Sequence, residues 1–145
     1  MSDHNINWQV LIEAAKKASD NAYAPYSKFY VGAAALTEQG NIVSGCNVEN
    51  ASYGLTMCAE RNCLAHGVSR GEQSFRAIVI YTEQETLTPP CGACRQVIAE
   101  FMSAGSPVMA VNHLDKQKLW SVNELLPDAF MPQNLTESSD SKDRN

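Results

Sequence analysis

No apolar run in this 145-residue chain approaches the ~18 residues that cross a membrane. The opening MSDHNINWQ has neither the basic n-region nor the apolar h-region of a secretory signal. The expectation is a cytoplasmic protein with no membrane partner. Positive charge is also scarce: 11 Lys and Arg stand against 16 Asp and Glu, a net charge of −5, with pI near 5.1. That is the wrong sign for gripping a phosphate backbone, so nucleic acid is not an expected partner. An even cysteine count is missing as well. Five thiols cannot all pair within one chain, and in a reducing compartment such residues are buried, catalytic or metal-binding rather than bridged. Repeats and internal linkers are absent, and the polar tail after Pro132 is the only low-complexity candidate.

What remains is an ordinary globular composition, 44% apolar and 19% charged. A chain of this size buries roughly two thirds of its unfolded surface and needs no covalent staple. The expected organisation is one domain over residues 1–131 and a polar, flexible tail over 132–145.

Residues 7–23 carry Val10, Leu11, Ala14, Ala15, Ala18 and Ala22 at three- and four-residue spacings with Asn7 as N-cap, which predicts a helix. Two apolar runs, 29–36 and 42–48, flank a polar turn ending in Gly40-Asn41 and predict a β-hairpin. A helix fits 58 to about 68. FRAIVIYT, residues 75–82, is a β-branched and aromatic run of the kind that forms a buried strand. A third helix begins near Cys91 with Val97, Ile98 and Phe101 on its apolar face, SPVMAVNH follows as a strand, and a short strand includes Leu119 and Trp120. This order predicts a three-layer α/β/α domain on a mixed central sheet.

The chemistry lies in LTMCAERN, residues 55–62, and PPCGACRQ, residues 89–96. Cys91 and Cys94 are three apart at the mouth of a helix. Alone they fit two readings equally, a redox dithiol or half of a metal site. Cys58 sits at another helix start, and in α/β sheets such starts gather along one edge. Three thiols then converge, as zinc requires, and a catalytic zinc keeps its fourth position for water. Cys63 and His66 lie about 7.5 and 12 Å along the helix from Cys58 and do not close the site. Glu60, at the helix mouth, would carry protons. Zinc with three thiolates has charge 2 − 3 = −1, so positive partners are needed: the two helix N-termini, and Arg61 and Arg95, each beside a proposed site residue.

C-A-E followed after 33 positions by P-C-x-x-C is the three-cysteine signature of zinc nucleobase and nucleoside deaminases. Through NAYAPYSKFYVGAAALTEQGNIVSGCNVENASYG, CAERN, PPCGACRQVIAEF and ELLPDAF, the chain resembles the small homotetrameric zinc-dependent cytidine deaminases over roughly residues 7–130. The resemblance implies one Zn2+ per chain held by Cys58, Cys91 and Cys94, with Glu60 as catalytic acid and Arg61 offsetting thiolate charge. Substrate contacts implied are Asn47 and Glu49 to the sugar hydroxyls, Phe29 beside the pyrimidine, the backbone of Ala59 at the base edge, Tyr53, and Phe130 supplied by a neighbouring subunit. The implied reaction is hydrolytic deamination of free cytidine and 2'-deoxycytidine, in pyrimidine salvage, by a homotetramer with active sites near its interfaces. The chain departs from the family pattern in Tyr30, where proline is common, and Cys63, where a smaller residue is frequent.

Overall fold

The computed structural model describes residues 6–135; residues 136–145 of the expected tail lie outside them, and Pro132–Leu135 form one helical turn. The first helix, α1 (Trp8–Ser19), starts where the Asn7 side chain accepts from the Val10 N–H and ends at Asp20. It is one turn shorter than its alanine spacing suggests. Residues past the cap turn away, and Tyr23 instead bridges to Val48.

Strands β1 (Val31–Thr37) and β2 (Ile42–Cys46) form the hairpin, with Gly40 at φ +90 in its turn, a backbone conformation that glycine adopts without steric cost. Phe29 and Tyr30 lie before β1 rather than in it. Helix α2 (Ala59–Ser69), strand β3 (Phe75–Thr82), helix α3 (Gly92–Phe101), strands β4 (Pro107–Asn112) and β5 (Gln117–Ser121), and the four-residue α4 (Val122–Leu125) complete the chain. The sheet order is β2-β1-β3-β4-β5, parallel only between β3 and β4.

Helices cover both faces. On one, α1 places Leu11 and Ala15 against Ala34, Val79, Tyr81 and Val111. On the other, α2 and α3 bury Leu64 and Ile98 against Ala33, Ile78, Ile80 and Val108. β1 is buried along its whole length, and its small residues let helices approach the sheet closely from both sides. An added Cβ on Gly32 would lie 1.9 Å from Ala15 O in α1, and one on Gly45 would lie 2.5 Å from Cys63 N in α2.

This topology fixes the position of the site. Val31 pairs with Thr82, Gly32 with Cys46, and Thr82 with Asn112. The start of β1 and the ends of β2, β3 and β4 therefore share one edge, from which the connections into α2 and α3 depart.

Candidate metal centre and active site

Cys58 and Cys91 are the N-cap residues of α2 and α3, both in extended backbone conformation and neither making a side-chain capping bond. By contrast, α1 is capped by Asn7 and α4 by Ser121 in a full capping box. A Ser, Thr, Asp or Asn cap would contribute ~1 kcal/mol to each helix, so α2 and α3 forgo that stabilisation to put sulfur at the helix mouth. The N–H groups of the first turn, Ala59 to Arg61 in α2 and Gly92 to Cys94 in α3, have no intrahelical acceptor and favour negative charge there.

Cys94, one turn into α3, is buried; Cys58 is half-buried and Cys91 exposed. The three Sγ atoms lie within 4.8 Å of one another, and Cys58 Sγ is 3.8 Å from Cys91 Sγ. Zinc–sulfur bonds of ~2.3 Å in a tetrahedron place sulfurs about 3.8 Å apart, the Cys58–Cys91 separation, and three thiols are a donor set that suits zinc. Among the described residues, no fourth His, Cys, Asp or Glu atom joins the group. Cys63 is fully buried with its thiol toward Val43 O, and burial pushes its pKa up. The His66 ring faces Ser44 O. Neither is placed to close the tetrahedron.

The sulfurs share their protons unequally. A hydrogen bond from Cys94, followed by one from Arg61, brings Cys58 down to about 5, and the same bond to Cys58 drives Cys94 upward. The Arg61 guanidinium approaches Cys58 Sγ at 3.6 Å through Nη2, and its Nε is buried without a partner among the described residues. Arg95 does something else. Its Nε donates to Pro90 O at 2.8 Å and its Nη1 to Leu125 O at 3.0 Å, tying α3 to α4. Of the two arginines read as possible partners of the sulfurs, Arg61 makes the contact, while main-chain carbonyls hold the Arg95 guanidinium.

Glu60 occupies the first turn of α2 at 5% exposure, and burial raises its carboxyl to about 7. A carboxyl near neutrality can both take and return a proton at working pH. Ala59 beside it is fully buried.

The remaining sequence-derived residues sit in the segments around this edge. Asn47 clamps the entry to β1: its Oδ1 accepts from Val31 N at 2.9 Å and its Nδ2 donates to Phe29 O at 2.7 Å. Phe29 packs its half-buried ring against the core. Glu49 lies with Tyr26, Ser27, Tyr53 and Thr56 around a recess of about 300 Å3, where the Tyr26 and Tyr53 rings meet edge-on at 6.0 Å. Phe130 is fastened by its carbonyl, which accepts from Gln96 Nε2 at 2.8 Å, and the residue is 59% exposed. The pattern reading did not single out Ser27, Asn62, which donates to Cys46 O, or Gln96. Their partners lie 16 to 34 residues away, beyond any local spacing.

Residues 6–110 match the model of the cytidine and deoxycytidylate deaminase zinc-binding region. The chain is 48% identical over 126 residues to a cytidine deaminase of Sporosarcina psychrophila, covering 87% of this chain and 93% of that one. It is 44% identical over 129 residues to one from Halalkalibacterium halodurans, covering 89% and 98%. Among solved structures it resembles the cytidine deaminase of Burkholderia pseudomallei (TM-score 0.83, 46% identity, 86% of this chain and 100% of that one). The Mycobacterium tuberculosis cytidine deaminase is also similar (TM-score 0.75, 39% identity, 86% and 98%).

Proposed function

The chain belongs to the zinc-binding cytidine and deoxycytidylate deaminase family, and from that premise we propose that it converts free cytidine and 2'-deoxycytidine to uridine and 2'-deoxyuridine with release of ammonia. The observation that carries this reading is the convergence of three cysteine sulfurs, within 4.8 Å of one another, on two helix mouths beside one buried carboxyl. Cys58, Cys91 and Cys94 hold the metal. Zinc, when bound, supplies the Lewis acidity that makes water nucleophilic near neutral pH.

Glu60 takes the proton from the attacking water and delivers it to N3 as oxygen adds at C4. It then carries the second proton, from the new C4 hydroxyl, to the amino group, so the C4–N bond breaks as C4=O forms and ammonia departs. Arg61 offsets the thiolate charge, which would otherwise hold Glu60 protonated and leave it unable to accept the water's proton. First-turn N–H groups at Ala59 and α3 are available to the base edge. Phe29 lies beside the base, and Asn47 and Glu49 receive the sugar hydroxyls, with Tyr53 at the rim. An acidic protein with Glu49 at the sugar end repels a phosphate attached there, which favours the free nucleoside over a polynucleotide.

The working form is a cytoplasmic homotetramer serving pyrimidine salvage, in which Phe130 of one subunit completes a neighbour's site. Supporting it are the exposed apolar side chains of Tyr53, Leu55 and Phe130, at 74%, 65% and 59% exposure. The direct test is loss of cytidine ultraviolet absorbance with stoichiometric ammonia release. Protein carrying one zinc per chain that leaves cytidine intact would refute the activity.

A further inference from the structure

Glu49 is only partly buried, yet its carboxylate is not free to swing. Its Oε1 accepts from Tyr26 N at 3.0 Å and Ser27 N at 3.1 Å, and its Oε2 accepts from the Ser27 hydroxyl. The Ser27 Oγ in turn accepts from Phe29 N at 3.0 Å. Phe29 O and Val31 N are held by Asn47, and Lys28, between Ser27 and Phe29, adopts φ +60, a left-handed conformation that an L residue keeps only where its surroundings enforce it. One hydroxyl thus links three residues assigned above to the substrate: it donates to Glu49, accepts from Phe29, and through Phe29 reaches the Asn47 clamp.

We propose that Ser27 is a positioning residue that sets the enzyme's demand for the sugar, by fixing the Glu49 carboxylate where the ring hydroxyls of a nucleoside arrive. The inference rests on the assignment of Glu49 to those hydroxyls. Three donors leave Oε2 with a lone pair free and directed. Without the Ser27 hydroxyl, only the two main-chain N–H bonds remain, both on Oε1, and Oε2 rotates with the side chain. Order at a partly buried carboxylate must otherwise be supplied by the substrate on binding, at a cost in affinity. Hydrogen bonding from the Ser27 side chain is also the leading cause of the lowered Glu49 pKa, which keeps it an acceptor.

Ser27 is exposed, so its replacement does not put the core at risk. The experiment compares zinc-loaded wild type, Ser27→Ala, Ser27→Thr and Glu49→Gln on cytidine and on 2',3'-dideoxycytidine, which lacks the ring hydroxyls. Ser27→Ala should raise KM for cytidine roughly tenfold with kcat little changed, because a hydrogen bond to a charged group is lost while the metal centre is untouched. Kinetics on the dideoxy substrate should not move, and Ser27→Thr, which keeps the hydroxyl, should restore cytidine KM. Equal losses on both substrates, a fall in kcat alone, or no loss would overturn the proposal. Glu49→Gln separates the two levels. If it discriminates between the substrates and Ser27→Ala does not, Ser27 alone is misassigned; if it does not discriminate, the Glu49 reading and this inference fall together.

Discussion

Glu60 sits where a carboxyl can be neutral or ionised at little cost, buried in a first helical turn and raised to about 7. An amide fills the same space and needs no counter-charge, so Glu60→Gln should fold and retain one zinc per chain. It cannot pass a proton, and turnover should fall by roughly 10²- to 10⁴-fold, read as kcat at saturating cytidine beside zinc content. Near-parental kcat would remove Glu60 from the proton path. The thiols differ as sharply among themselves. In zinc-stripped protein, Cys58, at about 5, is ionised at pH 5.5, where an ordinary thiol is ionised to about one part in a thousand. Its lower basicity makes each thiolate a weaker nucleophile, but the gain in population exceeds that loss. Toward 4,4'-dithiodipyridine at pH 5.5, Cys58 should therefore react about tenfold faster than a free thiol, with a rate that levels off above pH 6. Cys63, buried and shifted upward, should react only on unfolding. Peptide mapping of the early product reads both.

At the scale of elements, two glycines separate the stability of the sheet from that of the metal centre. Gly32 faces α1, and a Cβ there meets main chain at Ala15 O; Gly45 faces α2, and a Cβ there meets main chain at Cys63 N and Cα, 2.5 and 2.7 Å away. Backbone cannot yield by changing rotamer, so each alanine lifts a helix from the sheet and should cost at least 1–3 kcal/mol. Only α2 carries Cys58, Glu60 and Arg61. Gly45→Ala should speed zinc loss to a chromophoric chelator, whereas Gly32→Ala should lower the denaturation midpoint and leave zinc release from folded protein unchanged. Equal release rates would show that α2 adjusts without moving its N-terminus. The same geometry explains what the sequence pattern could and could not convey. β3 was legible to the residue because it is buried on both faces and reads as one apolar run. The two helix starts were legible because cysteine stands where a cap belongs. Helix α4 escaped notice: four residues are too few for periodicity, and only the Ser121–Glu124 capping box marks it. Adjacency in sequence does not separate Arg61 from Arg95, since position 95 follows Cys94 but projects toward the Leu125 carbonyl. The arrangement of 47–57, which brings Glu49 to Ser27 across 22 residues, leaves no periodic trace because it follows neither the helix nor the strand repeat.

For the whole molecule the question is where one site ends and the next begins. A sheet edge with three sulfurs and a buried carboxyl needs cover to exclude water during proton transfer, and the described residues include exposed aromatics available for it, Tyr26, Tyr53 and Phe130 among them. Phe130 shows the pattern best. Its main chain is fixed to α3 by Gln96, while the residue remains 59% exposed; a residue placed so firmly and buried so little suits contact with another copy. Complementation in a mixed assembly distinguishes a ring used at home from one used next door. Differently tagged Glu60→Gln and Phe130→Ala chains are co-expressed, and hetero-oligomers are isolated through both tags. If Phe130 serves the neighbour across a two-fold interface, each mixed pair contains one doubly defective site and one intact site, formed by Glu60 of the Phe130→Ala chain and Phe130 of the Glu60→Gln chain. Random assembly then restores about a quarter of native sites, with native KM at those sites. If Phe130 serves its own chain, every site in the mixture carries one defect or the other. Activity would then not exceed the average of the two parents, and the subunit-sharing reading would fail even with the zinc chemistry intact.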